Sequence, residues 1–126
     1  MPVVWGKQIW LTTGRADGSE LFATCVDLDT GKIVHDIKVF GVANPQLEYQ
    51  DMNLNTHATP TPIVEAGRVY VHFGSYGTAC LDTQSGKQIW ERRDLNCDHR
   101  VRPASSPIIH GDSLFLHFDG VDAQFV

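Results

Sequence analysis

Short apolar runs separated by polar, glycine-bearing turns recur along this chain. Three stretches share one plan: PVVWGKQIWLTTG from Pro2, PIVEAGRVYVHFG from Pro62 and PIIHGDSLFLHFDG from Pro107. Each has a proline, a short apolar strand, a turn carrying Gly, and a longer β-branched and aromatic strand ending near another Gly. Runs of this length and residue type are strand signals, and glycine supplies the positive φ that a tight hairpin requires. No 3.6-residue apolar period is sustained, and Pro or Gly interrupts each candidate helix, so the chain is expected to be all-β.

A second segment follows each strand pair. Residues 25–34 read CVDLDTGKIV and residues 80–89 read CLDTQSGKQI, with Asp27 matching Asp82, Thr30 matching Ser85, and Gly31 matching Gly86. A strand runs into a turn whose Asp and Thr or Ser side chains bond nearby backbone, Gly takes the positive-φ place, and a new strand leaves. The pentapeptide GKQIW occurs at residues 6–10 and 86–90. The first copy opens the second strand of a unit and the second copy opens a fourth strand, so the two are not equivalent. Strands are expected at residues 3–5, 8–13, 21–27 and 32–40, then at 63–65, 68–73, 78–82 and 87–92. A third unit starts at Pro107, continues through 113–118 and has a further strand under way at 123–126.

Four-stranded units repeating at about 40 to 50 residues are the pattern of β-propeller blades. The whole chain, 1–126, is therefore expected to be a partial propeller of antiparallel blades, with blade one at 2–40, blade two at 62–93 and an incomplete blade three at 107–126. About two and a half blades do not close a ring. The expectation is a piece of a longer protein whose remaining blades are its first partners.

Composition narrows the function classes. Ten Lys and Arg against 15 Asp and Glu give a formal charge of -5, which opposes broad attraction to nucleic acid. No apolar run approaches the roughly 20 residues of a spanning helix, so no transmembrane segment is expected. Cys25, Cys80 and Cys97 show neither metal-ligand spacing nor the density of a disulfide scaffold. No secretory signal is visible behind Met1.

The segments CVDLDTGKIVH and CLDTQSGKQIW resemble the blade motif of pyrroloquinoline-quinone-type propellers, of the form A-x-D-x-x-T-G-K-x-x-W. That group includes quinoprotein dehydrogenases and outer-membrane assembly propellers of the BamB type. The resemblance implies blade-motif roles for Asp27, Thr30, Gly31, Asp82, Ser85, Gly86 and Trp90, the last as a tryptophan docking on the next blade. Cys25 and Cys80 stand where the family has Ala, and His35 stands where Trp90 matches the docking residue, which leaves the first blade's docking contact open. The resemblance also implies a periplasmic, cell-envelope or secreted parent protein. The quinoprotein alcohol oxidisers carry an adjacent cysteine pair that is missing here. The expected role is a non-catalytic scaffold for protein or ligand binding with no cofactor; the alternative is a fragment of a quinoprotein dehydrogenase with its catalytic residues elsewhere.

Residue by residue, Cys25 and Cys80 are expected as buried space-fillers, although a disulfide between them stays open, and His72 and His117 are expected as matched positions bonded within the sheet. The polar residues of the connections are the candidate site. In propellers, the loop into the next blade and the loop between strands two and three share one rim. This groups His57, Tyr76, His99, Arg100 and Arg102 around a funnel suited to a protein or a small anionic ligand. Pro103 favours an extended residue before it, and alternation then points Arg100 and Arg102 the same way.

Overall fold

A computed structural model describes residues 1–45, 55–97, 102–118 and 124–125. Strands β1 (Val3–Trp5), β2 (Gln8–Gly14), β3 (Glu20–Asp27) and β4 (Ile33–Gly41) form one antiparallel sheet in chain order. Strands β5 (Ile63–Glu65), β6 (Arg68–His72), β7 (Thr78–Asp82) and β8 (Gln88–Arg92) form a second with the same order, and a single 3-10 turn, Gly74–Tyr76, joins β6 to β7. These are two propeller blades. A third is begun by β9 (Ile108–His110) paired with β10 (Ser113–Phe115) and by β11 (His117–Phe118) paired with β12 (Gln124–Phe125). The expected continuous strand over 113–118 is interrupted at Leu116, whose side chain is buried. Among the described residues there is no α-helix.

The hairpins behave as their glycines demand. Gly6, Gly67 and Gly111 occupy the first turns of the three units at φ 58, 80 and 56, a region costly for a residue bearing Cβ. In the β3–β4 turn the Asp27 carboxylate accepts from the Thr30 amide at 2.8 Å and the Thr30 hydroxyl at 2.7 Å, and Gly31 donates back to the Asp27 carbonyl at 2.9 Å. The β7–β8 turn repeats this with Asp82: 2.7 Å from the Ser85 amide, 2.7 Å from its hydroxyl, and 2.9 Å from the Gly86 amide to the Asp82 carbonyl. These donors favour the charged form, so both carboxyls lie below their ordinary pKa, Asp27 chiefly through the Thr30 hydroxyl and Asp82 chiefly through the Ser85 amide.

The repeat extends to irregularities. Cys25 pairs with His35 and Val26 with Ile33, leaving Val34 as an extra residue; Cys80 pairs with Trp90 and Leu81 with Gln88, leaving Ile89. Each outer strand thus carries a bulge at the same place, which increases local twist.

The core lies between the first two blades. Trp10, Leu21, Ala23, Cys25, Val39 and Phe40 from blade one meet Val69, Val71, Phe73, Ala79 and Leu81 from blade two. Blades covered on both faces explain why β6 is apolar at consecutive positions: Val69 and Val71 face blade one, while His72 meets Phe118 of blade three edge-on at 5.3 Å. Polar groups pin the same seam. Gln8 accepts from the Trp10 indole at 3.0 Å and donates to the Thr83 carbonyl at 2.9 Å, and the Thr12 hydroxyl reaches the Ala58 and Pro60 carbonyls at 2.9 and 3.0 Å.

Cys25 and Cys80 are free thiols at fully buried strand centres, and burial raises the pKa of each. His72 and His117 differ despite their matched sequence positions. His72 is buried with Nδ1 2.8 Å from the Thr78 hydroxyl, whereas His117 is exposed.

Candidate functional site

Strand direction sorts the connections. The hairpin turns β1–β2 and β3–β4 lie at one end of each blade, and the β2–β3 and β6–β7 connections lie at the other, together with the segments leading from one blade into the next. His57 belongs to the segment leading into blade two. Its ring meets Tyr76 edge-on at 4.8 Å and lies under the β2–β3 turn, where a Cβ on Gly18 would sit 3.3 Å from Nε2. Gly18 has φ 73, and the turn is held by the Asp17 carboxylate, which accepts from the Ser19 amide at 3.0 Å and its hydroxyl at 2.7 Å. Glycine is required at this point by both its backbone angle and the approach of Pro45 and His57.

His57 is 7% exposed, and among the described residues neither ring nitrogen has a hydrogen-bond partner. Burial, and then the nearby Arg102 guanidinium, push its pKa down to about 4, so the ring is neutral at neutral pH. A neutral imidazole offers one N–H donor and one lone-pair acceptor. A buried group with both unused is uncommon.

A cleft of about 170 Å³ opens beside it, lined by Gly14, Arg15, Thr56, His57, Ala58 and Arg102 among others. Arg102 stands at φ 64, a left-handed backbone that costs a residue bearing Cβ about 1 to 3 kcal/mol. The extended conformation expected ahead of Pro103 is therefore not adopted, and alternation does not set where this side chain points. Its guanidinium donates to the Asn55 carbonyl at 3.3 Å, joining the chain after blade two to the chain before it. Among the described residues no carboxylate lies within ion-pair distance of Arg102. Arg15 is different, since its Nε sits 3.2 Å from the Glu20 carboxylate, which Lys38 and Arg15 together hold below its ordinary pKa.

The structure thus brings His57, Tyr76 and Arg102 into one neighbourhood. His99 and Arg100 fall outside the described residues. Arg15 and Gly18 belong to the connection between strands two and three of blade one, and their closeness to His57 depends on folding across more than 35 positions. On the far side of blade two, Glu65, Arg68, Tyr70 and Trp90 line a larger cleft of about 350 Å³ with Ile109, Ser113 and Leu114 of blade three.

Blade-motif residues take up two kinds of work. Asp27, Thr30, Gly31, Asp82, Ser85 and Gly86 build their own turns, as described above. At the seam, His35 stacks on Trp10 with ring centroids 5.8 Å apart, and its Nδ1 would be 3.1 Å from a Cβ on Gly86. The docking contact left open by His35 in the sequence is therefore made, by an imidazole in place of an indole. Trp90 packs against Tyr70 at 6.0 Å and remains 39% exposed.

A family model described as outer membrane protein assembly factor BamB matches residues 4–124. The chain belongs to this family. The match spans all three units, in agreement with the repeated turns, bulges and seam contacts, and it associates the chain with a cell-envelope family. Comparison with curated proteins gives no match.

Proposed function

We propose that this chain is part of a non-catalytic propeller scaffold of the cell envelope that recognises a protein or small ligand at the rim carrying His57, Tyr76 and Arg102. The observation that supports this reading most is the convergence of three connections on a cleft lined by a buried imidazole and a cation that, among the described residues, have no hydrogen-bond partner and no carboxylate partner respectively. The other end of the blades is built from self-satisfied turns, in which Asp27 and Asp82 already accept all the bonds their motif supplies. Connections on a rigid scaffold are where recognition concentrates. A chain with net charge -5 that places Arg102 in a cleft favours an acidic or hydrogen-bond-rich partner there. The full-length parent is expected to carry further blades and to sit in the periplasm or envelope.

Site-specific photocrosslinking in the parent protein tests the reading. A crosslinker at Thr56, on the rim, is expected to capture a defined envelope partner that one at Thr30, on the opposite end, does not. Equal capture from both ends, or dye-linked alcohol or sugar oxidation on addition of calcium and pyrroloquinoline quinone, would replace the scaffold by another role, the second by a quinoprotein dehydrogenase.

A further inference from the structure

We infer that the rim carries an acid-operated latch. While neutral, the His57 ring holds the β2–β3 turn of blade one against the Gly74–Tyr76 turn of blade two; protonation expels the ring, and these connections part while the blades stay folded. The latch is a property of the chain alone, and only its consequence for binding rests on the rim being the recognition end.

Three separate segments close on the ring. The Gly18 turn covers it from blade one, so closely that a Cβ there would lie 3.3 Å from Cδ2 and Nε2. Tyr76 meets it edge-on at 4.8 Å from blade two, and Arg102 comes near from the chain that follows blade two. In this packing each ring nitrogen exposes under 1 Å² and, among the described residues, neither is hydrogen-bonded. Contacts of shape alone suit a neutral ring. They do not suit an imidazolium, whose charge and two N–H donors need water or an acceptor.

The charges around the ring do not offset this. On the Gly18 turn the Asp17 carboxylate is bonded to Ser19, and Glu20 is shared by Lys38 and Arg15. Those bonds, chiefly the Ser19 hydroxyl for Asp17 and Lys38 for Glu20, hold both carboxyls below their ordinary pKa, so the turn keeps its own shape where His57 titrates. Tyr76 brings a phenol, and the cation Arg93 donates to its carbonyl at 3.1 Å. Arg102 brings a further cation, and residues 55–60 carry no titratable side chain besides His57. Acid therefore acts on this point through lost hydration and repulsion together. The rest of the seam does not change charge: the Thr12 hydroxyl stays on the Ala58 and Pro60 carbonyls, and the core between the blades is apolar. Because Thr56, His57, Ala58 and Arg102 also line the cleft of about 170 Å³, parting the connections reshapes the recognition end.

Amide hydrogen exchange of the full chain at pH 7 and pH 4, read by NMR and corrected for the intrinsic effect of pH, tests this. The Gly18 amide, bonded to the Arg15 carbonyl, and the Thr59 amide, bonded to the Thr56 carbonyl, are expected to lose at least about tenfold of their protection at pH 4. The shift of His57 from 6.5 to about 4 allows up to about a hundredfold. Amides of β3 and β7 should keep theirs, and His57→Phe, which stays uncharged and retains a ring against Tyr76, should remove the loss. On the unaltered chain the loss should follow the midpoint at which the His57 ring resonances titrate, a readout that does not depend on the variant folding. Unchanged protection at Gly18 and Thr59, an equal loss throughout β3 and β7, a midpoint unlike that of His57, or the same loss in His57→Phe each overturns the inference. A latch that opens with no rim-specific crosslink from Thr56 would keep the latch and remove the recognition reading; a rim-specific crosslink with unchanged exchange would do the reverse.

Discussion

Blade one and blade two place the same three-residue ladder at the centre of the face that looks toward the next blade, and fill it in opposite ways. In blade one the inner strand supplies Trp10, Cys25 lies between, and the outer strand supplies His35. In blade two the inner strand supplies Tyr70, Cys80 lies between, and the outer strand supplies Trp90. The indole has changed strands while the small buried thiol stays. Burial follows what lies opposite. The Gly86 turn of blade two closes over Ile37 and over the His35 ring that stacks on Trp10, and Trp10 is fully buried, whereas Trp90 borders a cleft toward blade three and is not.

The largest test of this contrast uses the two tryptophans. Trp10→Ala is expected to lower stability by about 3 to 5 kcal/mol, in the range of large aromatic truncations in a core. Trp90→Ala should cost about 1 to 2 kcal/mol, since much of its surface is already in water. Urea denaturation measures both. Equal losses would show that the two ladders are covered alike and that the difference in burial carries no energy.

The two motif glycines give the next largest effect. Gly31 and Gly86 have nearly the same φ, 69 and 72, so alanine at either position bears the left-handed penalty of about 1 to 2 kcal/mol. A Cβ at Gly31 meets nothing within 4 Å, but at Gly86 it would lie 3.0 Å from the Ile37 side chain and 3.1 Å from His35. Overpacking should add about 1 to 3 kcal/mol to Gly86→Ala alone. If Gly86→Ala and His35→Ala do not couple in a double-mutant cycle, the seam contact is not what distinguishes the turns.

His57, on the segment between the blades, adds a pH dependence of its own. Its folded pKa of about 4 lies below the ordinary 6.5, so between these values the unfolded chain binds more protons than the folded one. The stability it contributes is intact above pH 6.5 and is lost as pH falls from 6.5 toward 4, by roughly 3 kcal/mol at most. His57→Gln should flatten that part of the pH–stability curve. An unchanged slope in the variant would assign the loss to other groups.

The smallest expected effect concerns the matched turns. Asp27→Ala and Asp82→Ala should shift the melting temperature by small and similar amounts, because the two carboxylates share the amide and hydroxyl bonds of the turn at the same exposed end, Asp82 accepting one more from the Gln84 amide at 3.1 Å. A clear difference would mean that the seam reaches the turns as well as the ladder.

The fold was legible because its signals are local and repeated. Pro62 and Pro107 restart the pattern, glycine marks each hairpin, and the Asp-x-x-Thr and Asp-x-x-Ser turns form from atoms a few residues apart, so strand order within each blade needs no distant information. Grouping His57, Tyr76 and Arg102 was legible at the level of connections, since strand direction alone assigns loops to one end or the other. What sequence does not encode locally is what lies across a seam. That His35 docks despite not being Trp, that Trp90 stays half in water, and that Arg102 turns left-handed ahead of Pro103 each depend on contacts between segments distant in the chain. The His57 ring belongs to this second class, for it becomes buried, with no hydrogen-bond partner among the described residues, only when the Gly18 turn, Tyr76 and Arg102 arrive around it from three separate parts of the sequence.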